Sequence, residues 1–249
     1  MIVTKDQREI ELMREAGRIV GVVHTKLRDF IKPGISTQDI NKFCDEIIRK
    51  EGGTPSFLNL YGFPGSVCTS INEVVVHGIP NKNRILKDGD IISVDVGACY
   101  KGYHGDSAWT YAVGQISDEA KHLMKVTEES LYEGLAQVKP GNRLSDISHA
   151  VQVYLESHGC STPRDYTGHG IGTQVHEDPS VPNFGAPGKG PRLKQGMTLA
   201  IEPMAHLGRC ETEVLNDDWT VVTRDRSLAA HYEHTIVITS DGYEILTKQ

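Results

Sequence analysis

Apolar residues recur along this 249-residue chain in two regimes, helical stripes of period near 3.6 and short β-branched runs. Ile10, Met13, Val20, Val23 and Leu27 trace one stripe, which ends before Pro33-Gly34, and Thr4 with Gln7 resembles a capping box at its start. Ile40, Phe43, Cys44, Ile47 and Ile48 follow i, i+3, i+4, i+7, i+8 and predict a second helix from about Thr37 to Lys50. The same spacing returns 107 residues later at Ile147, Ala150, Val151, Tyr154 and Leu155. A glycine follows each helix, Gly52 and Gly159, as a left-handed C-terminal cap requires.

The repeat extends beyond these helices. Ile31-Lys32-Pro33-Gly34 returns as Val138-Lys139-Pro140-Gly141, and Leu86-Lys87-Asp88-Gly89 as Leu193-Lys194-Gln195-Gly196, both at the same offset of 107. An unbroken register across separate blocks points to duplication within a single domain, 1–249, with halves of about 5–115 and 116–245. In the first half, Gly62 to Gly78 predicts strands with a turn, and Asp90–Val96 with His104–Val113 predicts a hairpin around Lys101-Gly102. In the second, a helix is expected over Asp118–Val138 and strands over Met197–Glu202, Trp219–Val222 and Tyr232–Thr239. Helices and hairpins in blocks, without βαβ alternation, predict an α+β fold with a mainly antiparallel sheet and two halves related by a pseudo-twofold axis.

Composition narrows the chemistry. With 26 Lys+Arg against 33 Asp+Glu the formal charge is −7, which argues against a nucleic-acid surface. No apolar run approaches the roughly 18 residues of a membrane span, and the first segment lacks the apolar core of a signal peptide. Five scattered cysteines without a CxxC pair suit free thiols in a reducing cytoplasm. Eleven histidines stand out in a chain already rich in carboxylates.

Those carboxylates fall where apolar residues are expected. Asp95 interrupts Ile91-Ile92-Ser93-Val94, and the hairpin brings it within a residue or two of Asp106. Two acids held so close inside a sheet repel, and a cation resolves the conflict, although acids capping strand ends in water are the ordinary alternative. The repeat decides between them. Position 95 maps onto Glu202, another acid in an apolar strand, and Glu233 begins a further one. His169 sits among glycines in Gly168-His169-Gly170-Ile171-Gly172, read as a loop that the backbone can approach closely. Four carboxylates and one imidazole form an oxygen-rich set suited to Mn, Fe or Co, with Zn also compatible. That much negative charge suits two divalent ions better than one. No HExxH motif is present, since position 180 is Ser180, and GxGxG is not a dinucleotide fingerprint.

The order Asp95, Asp106, His169, Glu202, Glu233 resembles the metal-ligand set of the methionine aminopeptidases, peptidase family M24. The strings Asp95-Val96-Gly97, Ile201-Glu202-Pro203-Met204 and Tyr232-Glu233-His234-Thr235 are similar too, and the likeness runs from about Ile10 to Leu246. Without an additional N-terminal domain, a zinc-binding extension or a helical insertion, the chain looks like a bacterial-type type I member. The resemblance implies the duplicated pita-bread fold, a curved antiparallel sheet covered by helices. It implies two divalent ions, with Asp95 and Glu233 bridging them, Asp106 completing one shell, and His169 and Glu202 holding the other ion. The implied reaction removes the N-terminal methionine of nascent proteins, preferring a small uncharged second residue (Gly, Ala, Ser, Thr, Cys, Pro or Val).

Glu202 is then the proton shuttle, His176 the partner of the carbonyl oxygen, and His77 the contact to the scissile amide. Phe63, Cys68 and Trp219 match methionine-pocket residues of the family, and Phe57 and Leu60 occupy two further pocket positions. Phe57, Leu60 and Val175 differ from the residues many bacterial members carry there, so pocket shape is expected to differ. The implied setting is a cytoplasmic monomer acting on nascent polypeptide N-termini, with the ribosome near its exit tunnel as a candidate neighbour. An X-Pro peptidase and a catalytically dead module that binds proteins or RNA are the competing readings. His104, His231 and His234 flank the acids, and for them a role behind the ligands and an ordinary core or solvated role both stay open.

Overall fold

The computed structural model describes residues 1–249. Helices α1 (Gln7–Phe30) and α2 (Thr37–Lys50) come first, followed by strands β1 (Thr54–Pro55), β2 (Val67–Ile71), β3 (Val74–Val76), β4 (Ile91–Tyr100) and β5 (Tyr103–Ala112). Helices α3 (Asp118–Leu135) and α4 (Leu144–Ser157) open the second half. Strands β6 (Gly168–Gly170), β7 (Glu177–Val181), β8 (Thr198–Ile201), β9 (Met204–His206) and β10 (Thr212–Val214) follow. The last are β11 (Val221–Thr223), β12 (Ala229–His231), β13 (His234–Ile238) and β14 (Tyr243–Ile245). No helix is long and apolar enough to cross a membrane.

Each helix pair covers its own sheet. In the first half, β4 pairs with β5 on one side and with β1 and β2 on the other. In the second, the order is β14-β13-β8-β6-β7, and every pairing is antiparallel. One cluster of 18 buried apolar residues lies wholly between Ile19 and Val113. A second, of 22, takes every member but Ile91 from Ala120 to Ile238. The stripe of α1 therefore buries against β4 and β5, that of α2 against β1, β2 and α1, and those of α3 and α4 against the second sheet.

The two sheets meet along β5 and the segment from His231 to Thr235. Ser107 Oγ donates to the Glu233 carbonyl at 2.6 Å, and the Glu233 N–H donates to the Ala108 carbonyl at 2.9 Å. This seam places acids from both halves at the centre of the molecule.

Some local expectations shift. The capping box of α1 is Asp6 with Glu9, not Thr4 with Gln7: Asp6 Oδ1 accepts the Glu9 N–H at 2.9 Å and Glu9 Oε2 accepts the Asp6 N–H at 2.8 Å. Helix α3 stops at Leu135, short of Val138, because the turn to Pro140-Gly141 begins there. Gly168–Gly170, read as a loop, is a short strand paired on both sides.

Candidate metal centre

Asp95 and Asp106 share one face of the first hairpin. Register pairs Gly97 with Asp106 and Asp95 with Ala108, so the two acids stand diagonally, two residues apart. Glu202 follows the last residue of β8, whose Ile201 pairs with His234, and this sets Glu202 beside Glu233. Asn183 Nδ2 donates to the Glu202 carbonyl at 2.9 Å and fixes the chain where it leaves the sheet.

His169 enters from β6. A Cβ on Gly168 would lie 2.4 Å from the Ala200 carbonyl oxygen, and one on Gly170 would lie 2.0 Å from that of Asp178. Only glycine allows β6 to slot between its neighbours, and the imidazole between them is thereby aimed. Its Nδ1 donates to the Gly170 carbonyl at 2.9 Å. Its Nε2 faces Glu202 Oε1 at 3.5 Å and Asp106 Oδ2 at 3.9 Å. A ring held by one nitrogen with the other turned to carboxylates is the usual posture of a metal ligand.

The electrostatics ask for a cation. Asp95 Oδ1, Asp106 Oδ1 and Glu233 Oε1 are buried without a hydrogen-bond partner. Desolvation pushes Asp95, Asp106, Glu202 and Glu233 all above the usual carboxylate range, and for Asp106 and Glu233 the neighbouring acids add to it. Buried carboxylates with orphaned oxygens are costly unless paired or coordinated, so this donor set fits divalent metal ions. Ligand atoms of Asp106, His169 and Glu233 lie within 4.8 Å of one another. Asp95 stands beside Asp106 on the same face of the hairpin.

All twelve candidate residues line one cavity of about 530 Å³. Opposite the acids, Phe57, Phe63, Cys68 and Val175 form an apolar cluster against which Leu60 and Trp219 pack. The Phe57 ring lies over Gly97, where a Cβ would sit 2.7 Å from Cε1. Burial, with the acids' charge next, pushes the Cys68 thiol well up, so it stays a neutral, soft wall. His77 has φ +60°, outside the comfortable range of an L-residue, and its ring meets the Trp219 edge at 6.2 Å. His176 is exposed at the mouth, 4.5 Å from His169 between ring centroids.

Residues 11–240 match Metallopeptidase family M24. The chain belongs to that family. The methionine aminopeptidase 1 of Bacillus subtilis is 57% identical over 248 residues, covering 100% of both chains. The solved methionine aminopeptidase of Thermotoga maritima superposes with a TM-score of 0.99 at 48% identity, again over 100% of both chains. An Xaa-Pro dipeptidase of Bacillus anthracis gives 0.80 at 25% identity, over 99% of this chain and 62% of its own. The M24 architecture is the pita-bread fold, and its metal dependence agrees with the donor set described above.

Within this M24 site, two residues had no assignment from sequence. Tyr61, with φ +51°, lines the cavity and stacks over His176 at 6.2 Å. His231 is fully buried with Nε2 3.4 Å from Glu202 Oε2 and 3.8 Å from Glu233 Oε2. Its signal was present: residues two apart in an extended chain share a face, so His231 goes with Glu233 while His234 turns away to Thr247 Oγ1 at 2.9 Å. His104 is occupied by Ser56 Oγ at 2.8 Å.

Proposed function

We propose that this chain, acting as one catalytic unit, hydrolyses the first peptide bond of polypeptides that begin with methionine. The observation that carries the reading is the union, in one cavity, of the carboxylate–His169 cluster with an apolar, thiol-containing wall. Two divalent ions (Mn, Fe, Co or Zn) match the four carboxylates. Asp95, Asp106, His169, Glu202 and Glu233 would hold them. Bound there, the ions would anchor the substrate amine, polarise the scissile carbonyl and make hydroxide available near neutral pH.

The side chains supply the rest. Glu202, whose carboxyl is pushed up by burial, takes a proton from the attacking water and passes it to the leaving amine, a role worth about 10²–10⁴-fold. His176 donates to the carbonyl oxygen as charge develops on it. Burial pushes His77 down to about 4, so it is neutral when it contacts the scissile amide. Phe57, Leu60, Phe63, Cys68 and Trp219 receive the methionine side chain. The strained His77 stands where the second residue must pass, which favours Gly, Ala, Ser, Thr, Cys, Pro or Val there. The substrates are then nascent N-termini, met in the cytoplasm near the ribosome by a monomeric enzyme.

Kinetics on paired peptides test this. Met-Ala-peptides are expected to release free methionine far faster than X-Pro-peptides of equal length release their first residue. Faster turnover of the X-Pro series would replace the reading with an X-Pro peptidase.

A further inference from the structure

One buried imidazole beside the acids has no hydrogen-bond partner in the protein. His231 lies at the end of β12 with both ring nitrogens buried and unpartnered, and Nε2 faces Glu202 and Glu233 at 3.4 and 3.8 Å. Its Nε2 and one oxygen from each acid lie within 4.8 Å of one another, a spacing that also suits coordination of an ion. His231 is therefore either a sixth ligand or a donor to the ligands.

The tautomer separates the two. If Nε2 gave its lone pair to an ion, the ring proton would sit on Nδ1, and a ligating imidazole nearly always donates that proton to a carbonyl, carboxylate or water. His169 meets the requirement through the Gly170 carbonyl. At Nδ1 of His231 no protein group is placed to accept. A buried N–H without an acceptor is rarer and costlier than an acceptor without a donor. With the proton on Nε2 instead, the N–H has Glu202 Oε2 before it at 3.4 Å, and Nδ1 carries only a bare lone pair.

We infer that His231 is a positioning residue: its Nε2–H holds Glu202 Oε2, and through it sets which oxygen of Glu202 is free for the metal and for proton transfer. The inference rests on the metal-centre reading. Glutamine offers an N–H donor at similar reach, so His231→Gln is expected to keep the function and His231→Leu to lose it.

Two measurements on the full chain test this. In the zinc-loaded wild type, long-range ¹H–¹⁵N spectra of the histidine rings, assigned by loss of the His231 signals in H231Q, are expected to show His231 protonated on Nε2 and His169 on Nδ1. Cobalt binding is expected to weaken 10–100-fold in H231L and to stay within about threefold of wild type in H231Q. An Nδ1–H tautomer at His231, equal losses in both variants, or no loss in H231L would each overturn the proposal while leaving the metal centre standing. A wild-type chain that binds neither ion overturns the metal centre, and the proposal with it.

Discussion

The hydroxyl of Thr235 accepts the N–H of Asp106 at 3.0 Å and donates to the Asp106 carbonyl at 2.7 Å. One buried side chain in the second half thus occupies both main-chain groups of a candidate ligand in the first. It sets the separation of Asp106 from Glu233, two residues before Thr235. Thr235→Val keeps the shape and deletes both bonds, orphaning a buried N–H and C=O. Loss of about 1–3 kcal/mol of stability and weaker metal binding are expected, with both largely restored in Thr235→Ser. Urea unfolding and metal titration of the two variants check this; equal behaviour of Val and Ser would contradict it.

Asp106 and Glu233 are buried and Asp95 and Glu202 half-buried, so in the metal-free chain the four carboxylates oppose one another at short range. Replacing Asp106 with Asn removes one charge from a desolvated cluster in which Asp95 and Glu202 oppose it. The metal-free variant is expected to be more stable than the metal-free wild type at neutral pH, by roughly 1–3 kcal/mol, while losing metal binding. Thermal unfolding of both chains after chelation decides the point, and a less stable variant counts against the repulsion.

Gly97 marks where the metal face meets the methionine wall. A Cβ there collides with the Phe57 ring, and relief lies toward the open cavity. Overpacking of this kind costs about 1–3 kcal/mol. Gly97→Ala is expected to raise KM for a Met-Ala-peptide about tenfold with metal stoichiometry unchanged. An unchanged KM would place the methionine side chain elsewhere.

His24, far from the acids in sequence, lies in the core between α1 and β5. Its Nε2 donates to the Ser107 carbonyl at 2.9 Å and its Nδ1 pairs with the Tyr111 hydroxyl at 2.7 Å. Burial lowers it to about 4, opposed by the Ser107 bond. A histidine whose folded pKa is depressed contributes stability that is present above its unfolded value near 6.5 and lost as pH falls toward 4. The stability advantage of wild type over His24→Gln is therefore expected to shrink by about 3 kcal/mol between pH 7 and pH 4. Denaturant unfolding at the two pH values measures it, and a constant gap would show that His24 does not titrate there.

The helices and the central hairpin were legible because their signals are local: the stripe of α2, the caps at Gly52 and Gly159, and the turn at Lys101-Gly102 each lie within one window. The acids were legible for a related reason, since a carboxylate in an apolar strand needs a counter-charge wherever it ends up. What stayed hidden depends on neighbours distant in sequence. Gly168–Gly170 is a strand only because β7 and β8 close around it. The diagonal placing of Asp95 and Asp106 follows from a two-residue offset in register, which composition does not encode. Thr235 matters through a partner more than 100 residues away, Asp106.

The central claim is that the carboxylates and His169 work by holding divalent ions. Its most direct test is a manganese titration of the chelated chain, with bound metal and Met-Ala-peptide hydrolysis followed in the same samples. The account predicts negligible turnover without metal, turnover that rises as ions bind, and saturation at two ions per chain. Undiminished hydrolysis by the metal-free chain would contradict it.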